Sequence, residues 1–210
     1  MKFKELISKQ SLIENAILLG MKSQKKLAPS YREGILHENS KLKKPKLAAV
    51  LALFYPNDSG KATIVLTKRA TYNGTHSAQI SFPGGKKEET DTSLSDTALR
   101  EAFEEVGVST DKVQVVKKMT DLYVPPSNFL ITPYLAFTNK RPEFVKNHEV
   151  AKIIEVTLEL LLNDDSIRHK TKTNNIGHAL IIPYFQFESE EIWGATAMIL
   201  NEIKELIKNL

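Results

Sequence analysis

Residues 84–108 have the sequence GGKKEETDTSLSDTALREAFEEVGV, which predicts a glycine loop followed by a helix. The neighbouring Gly84 and Gly85 predict a loop in which the backbone can approach a ligand closely. A helix is predicted to begin at Ser93, because a serine followed three residues later by an acid is a capping-box pattern. The helix is predicted to end before Gly107, since glycine is common just beyond a helix C-terminus.

The last turns of this helix carry glutamates in an arrangement that is unfavourable by itself. Glu105 falls between apolar positions, Glu101 lies at the edge of the apolar face, and Glu104 lies beside Glu101. These like charges repel one another and also face the negative end of the helix dipole. The apolar face comprises Leu94, Ala98, Leu99, Ala102, Phe103 and Val106.

A divalent cation would reverse both penalties, because neighbouring carboxylates can converge on one hard ion. Mg²⁺ is the predicted cofactor, since it combines carboxylate ligands with phosphate oxygens and water, and Mn²⁺ is a possible substitute. For a bare Glu-x-x-Glu-Glu pattern, a solvated acidic helix face is the alternative interpretation.

The flanking segments predict a mixed β-sheet between helices, because strands occur without repeating βα units. An amphipathic helix is predicted near the N-terminus, over residues 6–19, and the final run from about residue 190 is also predicted to be helical. Turn-forming residues 56–60 predict a hairpin. The predicted strands are 47–55, 62–69, 113–116, 130–137, 150–156 and 179–187.

Composition excludes several classes of protein. With 210 residues, 41% hydrophobic and 26% charged, the chain is typical of one soluble globular domain. Its longest apolar stretch, 47–55, is too short to span a bilayer, so we expect no membrane partner and a cytoplasmic location. The absence of cysteine excludes thiolate chemistry and disulfides.

The net charge of +4 favours anionic partners without identifying them. The densest basic run, Lys41 to Lys46, contains no aromatic residue, so a solvated loop is predicted there and a nucleic-acid partner is not expected. The oligomeric state stays open.

Segments 85–91 and 100–108 together resemble the Nudix box. Asp91 stands where the box usually has glutamate, and one additional residue separates it from Arg100. This spacing, together with the upstream stretch 66–85, is similar to the coenzyme A diphosphatase branch of the Nudix hydrolases. Segments 149–157 and 192–197 also fit that branch.

The resemblance implies a Nudix-type α/β/α sandwich with a mixed β-sheet and an N-terminal helical extension. Residues 1–45 are then a helix and connector, and residues 46–210 the Nudix hydrolase domain. The implied metal ligands are Glu101, Glu105 and Glu104, the implied catalytic residues are Glu104 and Arg100, and the implied substrate-binding residues are Arg69, His76, Gly84 and Gly85.

The activity implied is metal-dependent hydrolysis of the diphosphate bond of coenzyme A or its derivatives. The products would be phosphopantetheine, or its acylated form, and adenosine 3′,5′-bisphosphate. Another nucleoside diphosphate derivative, such as ADP-ribose, a dinucleotide or a damaged nucleoside triphosphate, is the nearest alternative substrate. A non-catalytic nucleotide sensor and a nucleic-acid-associated protein are the alternatives from other classes.

Overall fold

The computed structural model describes residues 1–32, 44–70, 79–173 and 177–210. The predictions for His76 and for most of the basic run from Lys41 lie outside these ranges. The described strands are β1 (Lys46–Pro56), β2 (Ala62–Arg69), β3 (Ile80–Ser81), β4 (Gly84–Lys86), β5 (Gln114–Lys118), β6 (Leu122–Val124), β7 (Phe129–Phe137), β8 (Val150–Thr157), β9 (Ile167–Thr173), β10 (Ala179–Phe187) and β11 (Glu190–Trp193). The α-helices are α1 (Phe3–Ser8), α2 (Gln10–Asn15), α3 (Met21–Gln24), α4 (Leu94–Val106), α5 (Leu158–Leu162) and α6 (Gly194–Lys208).

Strand β1 lies at the centre of the larger sheet, which is mixed as predicted. It runs parallel to β7 on one side and antiparallel to β2 and β4 on the other. The predicted hairpin at residues 56–60 joins β1 to β2. A separate antiparallel sheet contains β9, β10 and β11.

Side chains alternate along β1 between two hydrophobic clusters, because successive residues of a strand point to opposite faces. Leu51 and Leu53 pack in the cluster that contains Ala98 and Ala102 of α4. The other cluster joins the opposite face to α6 and to the N-terminal helices, and it includes Phe3, Leu6, Ala52, Phe54, Met198 and Ile203. Helical layers therefore cover both faces of the sheet, which confirms the predicted Nudix-type architecture.

The N-terminal segment is helical but not continuous. The predicted helix over residues 6–19 is instead two short helices that meet at Lys9, and the backbone turns extended at Ala16. Ile17, which the helical pattern counted as apolar face, is 94% exposed. Leu6 and Ile13 are fully buried, so the segment still packs on the main body.

The prediction for the C-terminal run was wrong at its beginning. Residues 190–193 form strand β11, which pairs with β10, and helix α6 begins at Gly194, which adopts a φ of 66°.

Strand β9 was not predicted, because its charged sequence lacks the alternation of a half-buried strand. On α4, Phe103 is 57% exposed although the pattern placed it on the buried face. No described helix is long and apolar enough to cross a membrane.

Candidate active site

Helix α4 is held at both ends by interactions that its sequence specifies. The Ser93 hydroxyl accepts a hydrogen bond from the backbone N–H of Asp96 (3.1 Å), which confirms the predicted N-cap. Gly107 ends the helix with a φ of 73°. The backbone N–H groups of Val145 and Asn147 donate to carbonyl groups of the last turn, at 3.0 and 3.1 Å. The end that carries the glutamates is therefore fixed in position.

Gly84 and Gly85 bring strand β4 against two of these glutamates. The backbone N–H of Gly84 donates to Oε2 of Glu105 (3.1 Å). A Cβ atom added to Gly85 would lie 2.4 Å from the carboxylate of Glu101, so the absence of a side chain there makes room for that group. The glycine pair was predicted to let the backbone approach a ligand; in the structure the backbone there approaches the carboxylates of Glu101 and Glu105.

Glu105 is only 4% exposed, as its position on the helical wheel predicted. Burial, with a smaller effect of the neighbouring carboxylates of Glu101 and Glu149, raises the pKa of its carboxyl group to about 7 against the opposing effects of the Gly84 N–H and of Arg69. Burial also raises the pKa of Glu101. Burial therefore disfavours the charged form of both carboxyl groups in the absence of a bound cation.

Arg100 binds Asp91 more extensively than it binds Glu104, which lies one turn later on α4. Its Nε and Nη2 donate to the two carboxylate oxygens of Asp91 at 2.9 and 3.1 Å. Its Nη1 lies 3.1 Å from both Glu101 Oε1 and Glu104 Oε2, and Nη2 also reaches the carbonyl of Lys86 (3.1 Å). Arg100 thereby connects the loop after β4 to the acidic turn of α4.

Asp91 is buried and fully hydrogen-bonded. Besides Arg100, it accepts from the Thr97 hydroxyl (2.9 Å) and from the backbone N–H of Glu88 (2.8 Å). The hydrogen bonds from Arg100 hold the pKa of this carboxyl group well below its usual range, against the opposing effect of burial. Asp91, which stands where the Nudix box usually has glutamate, therefore anchors the loop between β4 and α4.

Substituting Asp91→Asn is expected to lower the free energy of unfolding at pH 7 by about 2–3 kcal/mol, because Arg100 loses the carboxylate that binds it at two nitrogens and retains the carboxylates of Glu101 and Glu104. A lowered carboxyl pKa stabilises the fold above the unfolded-state value of about 3.9, and that contribution disappears as the pH falls below it. Urea unfolding should therefore show the same difference from wild type at pH 7 and 5, and a smaller difference at pH 3.5 and again at pH 2.5, as the pH falls from about 3.9 towards the lowered pKa. The exposed Asp58→Asn variant serves as control, and an equal loss at every pH would contradict the assignment.

A cleft of about 820 Å³ opens beside the acidic turn. This size lies within the range of about 300–1,000 Å³ that is typical of small-molecule sites. Arg69, Gly84, Gly85, Glu101 and Glu105 all line it. Its other walls are largely apolar and include Val50, Phe82, Val124, Pro125, Phe129, Ile131, Trp193 and Ile199.

The structure brings most, but not all, of the predicted site residues together. Glu104 is not among the described residues that line the cleft, and its side chain is 49% exposed while it pairs with Arg100. Glu149, which no spacing in the sequence marks, lines the cleft and accepts from Arg69 Nη2 (3.0 Å). Arg69 Nη1 lies 3.9 Å from Glu105 Oε1.

The donor set at the cleft fits a partly hydrated divalent cation. In the described part of the chain, no group of three acidic or histidine side chains forms a ready-made cage. Two carboxylates that face one cleft, Glu101 and Glu105, suit an ion such as Mg²⁺, which keeps several waters and takes further oxygens from phosphate. Burial is the main cause of their raised pKa values, and a cation bound there would stabilise the charged carboxylates.

Comparisons with known proteins agree with this geometry. The model of the NUDIX domain family matches residues 45–175. "Nudix hydrolase 15, mitochondrial" of Arabidopsis thaliana is 34% identical over 164 residues, which are 75% of this chain and 57% of that protein. The "Uncharacterized Nudix hydrolase NudL" of Photorhabdus laumondii is 33% identical over 149 residues, or 70% of this chain and 79% of that protein. The chain thus spans little more than half of the plant protein.

Solved structures share the fold at low sequence identity. A Nudix hydrolase from M. smegmatis, RenU, superposes with a TM-score of 0.56 at 16% identity, covering 80% of this chain and 89% of that chain. A MutT/nudix family protein from Enterococcus faecalis gives a TM-score of 0.53 at 15% identity, covering 96% and 74% respectively. The domain match, the relatives and the fold together show that the chain belongs to the Nudix family.

Proposed function

We propose that this protein is a metal-dependent pyrophosphohydrolase that cleaves the diphosphate of a nucleoside diphosphate derivative. The observation that carries the proposal is a pair of carboxylates on the wall of a nucleotide-sized cleft, the buried Glu105 and the partly buried Glu101. Cleavage of a diphosphate requires neutralisation of its negative charge and activation of water. A bound divalent cation supplies both, and Glu101 and Glu105 would hold it.

Each remaining side chain of the site has a defined task in this proposal. Arg69 can exchange its contact with the half-exposed Glu149 and its longer one with Glu105 for phosphate, and among the described residues its Nε has no hydrogen-bond partner. Its planar fork matches two phosphate oxygens. Arg100 contacts Glu101 and Glu104 and keeps both in place, while Asp91 keeps Arg100 in place. Glu104 is then a positioned carboxylate that can orient water at the edge of the site.

For the substrate we propose coenzyme A or an acyl derivative. Support comes from the spacing between Asp91 and Arg100 and from the stretch around Arg69, both of which resemble the coenzyme A diphosphatase branch. The apolar walls of the cleft, which include Pro125, Phe129 and Trp193, suit an adenosine and a long uncharged arm. Hydrolysis would release phosphopantetheine and adenosine 3′,5′-bisphosphate.

Incubating the purified protein with coenzyme A and Mg²⁺ is expected to yield both products, which mass spectrometry after chromatography identifies. The same reaction with Mn²⁺ shows whether the choice of ion limits turnover. Absence of both products with either ion would exclude coenzyme A as substrate.

A panel of ADP-ribose, a dinucleotide and an oxidised nucleoside triphosphate, ranked by kcat/KM, tests the substrate class. If a compound without a 3′-phosphate ranks far ahead of coenzyme A, the branch assignment is wrong although the pyrophosphohydrolase proposal stands. Binding of all compounds without turnover would favour a nucleotide sensor.

A further inference from the structure

A second arginine lies in the wall of the same cleft, in the segment before β1. Arg32 ends a short 3₁₀ turn, Ser30–Arg32, and is only 4% exposed although it lines the cleft. Its Nη1 lies 2.9 Å from the sulfur of Met198, and its Nη2 donates to the carbonyl of Tyr123. The guanidinium therefore sits between α6 and β6.

Arg32 lacks the partner that a buried cation normally has. Both of its contacts are neutral acceptors, and no carboxylate of the described ranges is within reach to form an ion pair with it. Burial lowers the pKa of Arg32, as expected for a guanidinium removed from water without a compensating anion. Arginine is almost never fully buried unless it is paired, so an unpaired one that borders a cleft is suited to a ligand anion.

The segment that leads to Arg32, residues 21–32, is hydrogen-bonded to the buried core. The side chain of Gln24 donates to Glu202 of α6 (3.0 Å), and the side chain of Asn201 donates to the carbonyl of Ser23 (2.9 Å); all four residues are buried. Such hydrogen bonds between buried groups restrict the movement of the segment. Closer to Arg32, the Ser30 hydroxyl accepts a hydrogen bond from the backbone N–H of Ile181 (3.1 Å), so the turn that carries Arg32 is also attached to β10.

Arg32 is too far from the acidic turn to bind the same diphosphate. The carboxylates approach β4, whereas Arg32 contacts β6, and the order across the sheet is β4, β1, β7, β6. Three strand spacings amount to about 14 Å. The apolar side chains of Val50, Phe129 and Ile131 line the cleft, where a nucleoside could lie between the two charged regions.

We propose that Arg32 is an anion subsite that recognises a phosphate monoester on the nucleoside part of the substrate, separate from the diphosphate that is cleaved. This inference rests on the proposed function for its reaction but not for its binding test. It assigns substrate selection to a residue outside the acidic helix, in a segment that precedes the family-matched residues.

The kinetic test uses substrate pairs that differ by one phosphate monoester: coenzyme A with 3′-dephospho-coenzyme A, and NADPH with NADH. Wild-type protein is expected to favour the phosphorylated member in kcat/KM, and Arg32→Met is expected to reduce that preference at least tenfold. The value for the unphosphorylated member should change less than threefold. Arg32→Lys, which keeps the charge but not the planar fork, should fall between the two.

The exposed Arg168→Met variant, on β9, is the matched control for loss of one positive charge and should keep the wild-type preference. If Arg32→Met does not fold, the Arg32→Lys variant decides, with a loss of preference of at least threefold expected. Equal losses on both members of a pair, or unchanged preference in either Arg32 variant, would overturn the subsite.

Binding without metal separates this inference from the proposed function. Adenosine 3′,5′-bisphosphate should raise the Tm of the wild-type protein more than adenosine 5′-monophosphate does at the same concentration, and Arg32→Met or Arg32→Lys should remove or reduce that difference. A protein that hydrolyses none of the four compounds of the kinetic test, nor ADP-ribose or the oxidised nucleoside triphosphate, refutes the proposed function alone. Identical shifts by the two nucleotides in wild type refute the subsite alone.

Discussion

Glu105→Gln is expected to lower kcat by at least about 10³-fold, because it removes one of the two carboxylates proposed to bind the divalent cation that neutralises the diphosphate. The fold should persist, since the amide oxygen of glutamine can still accept the hydrogen bond that the Gly84 N–H donates to Glu105. Removing a buried carboxylate whose pKa is raised to about 7 also relieves repulsion with Glu101 and Glu149. The variant should therefore be folded and almost inactive.

Thermal unfolding with and without Mg²⁺ or Mn²⁺ checks the metal role independently of turnover. A cation that binds only the folded state raises the Tm of the wild-type protein by an amount that grows with the logarithm of its concentration above Kd, and this rise should be lost in Glu105→Gln. Glu89→Gln, an exposed glutamate of the same region, is the control and should keep both activity and the metal-dependent rise. A Glu105→Gln protein with kcat within tenfold of wild type would contradict the assigned role.

Gly85→Ala is expected to lower kcat by at least about 10²-fold while the unfolding free energy changes by less than about 1 kcal/mol. The added methyl group would lie 2.4 Å from the Glu101 carboxylate, so that carboxylate must move away. Because the obstacle is the end of a side chain, the backbone need not shift. The loss should appear mainly in kcat and in metal affinity.

Gly84→Ala provides the matched comparison, because its methyl group would meet backbone instead. The carbonyl oxygen of Ala49 would lie 2.4 Å away and the Cα of Val50 2.6 Å away, at a φ of 155° that L-residues rarely adopt. Relief requires that β4 separate from β1, so the unfolding free energy should fall by about 3 kcal/mol. Urea unfolding and steady-state kinetics on both variants separate the two effects; similar stability losses in both would show that the Glu101 contact is not the cause.

Local sequence signals predicted the elements whose residues interact with near neighbours. The Ser93 cap, the Gly107 terminus and the burial of Glu105 follow from spacing within one helix, and the strands corresponding to β1 and β2 follow from apolar runs. The roles assigned to Glu101, Glu104 and Arg100 remain predictions for the experiments above.

Features that depend on distant contacts could not be predicted. Glu149 reaches the cleft because its segment is hydrogen-bonded to the end of α4, and Arg32 is buried because α6 and β6 close around it. Nothing in the local sequence around either residue assigns it a place in the cleft, although segment 149–157 as a whole resembles the coenzyme A diphosphatase branch. The breaks in the N-terminal helix are of the same kind, since packing on the sheet rather than helical periodicity determines which of its residues are buried.

The walls of the cleft come from the family-matched part of the chain and from the segments on either side of it. Residues 45–175 supply the acidic turn and the glycine strand, whereas Arg32, Trp193 and Ile199 come from the flanks on either side. Substitutions in these flanking segments are therefore expected to reshape the outer walls of the cleft while leaving Glu101 and Glu105 in place.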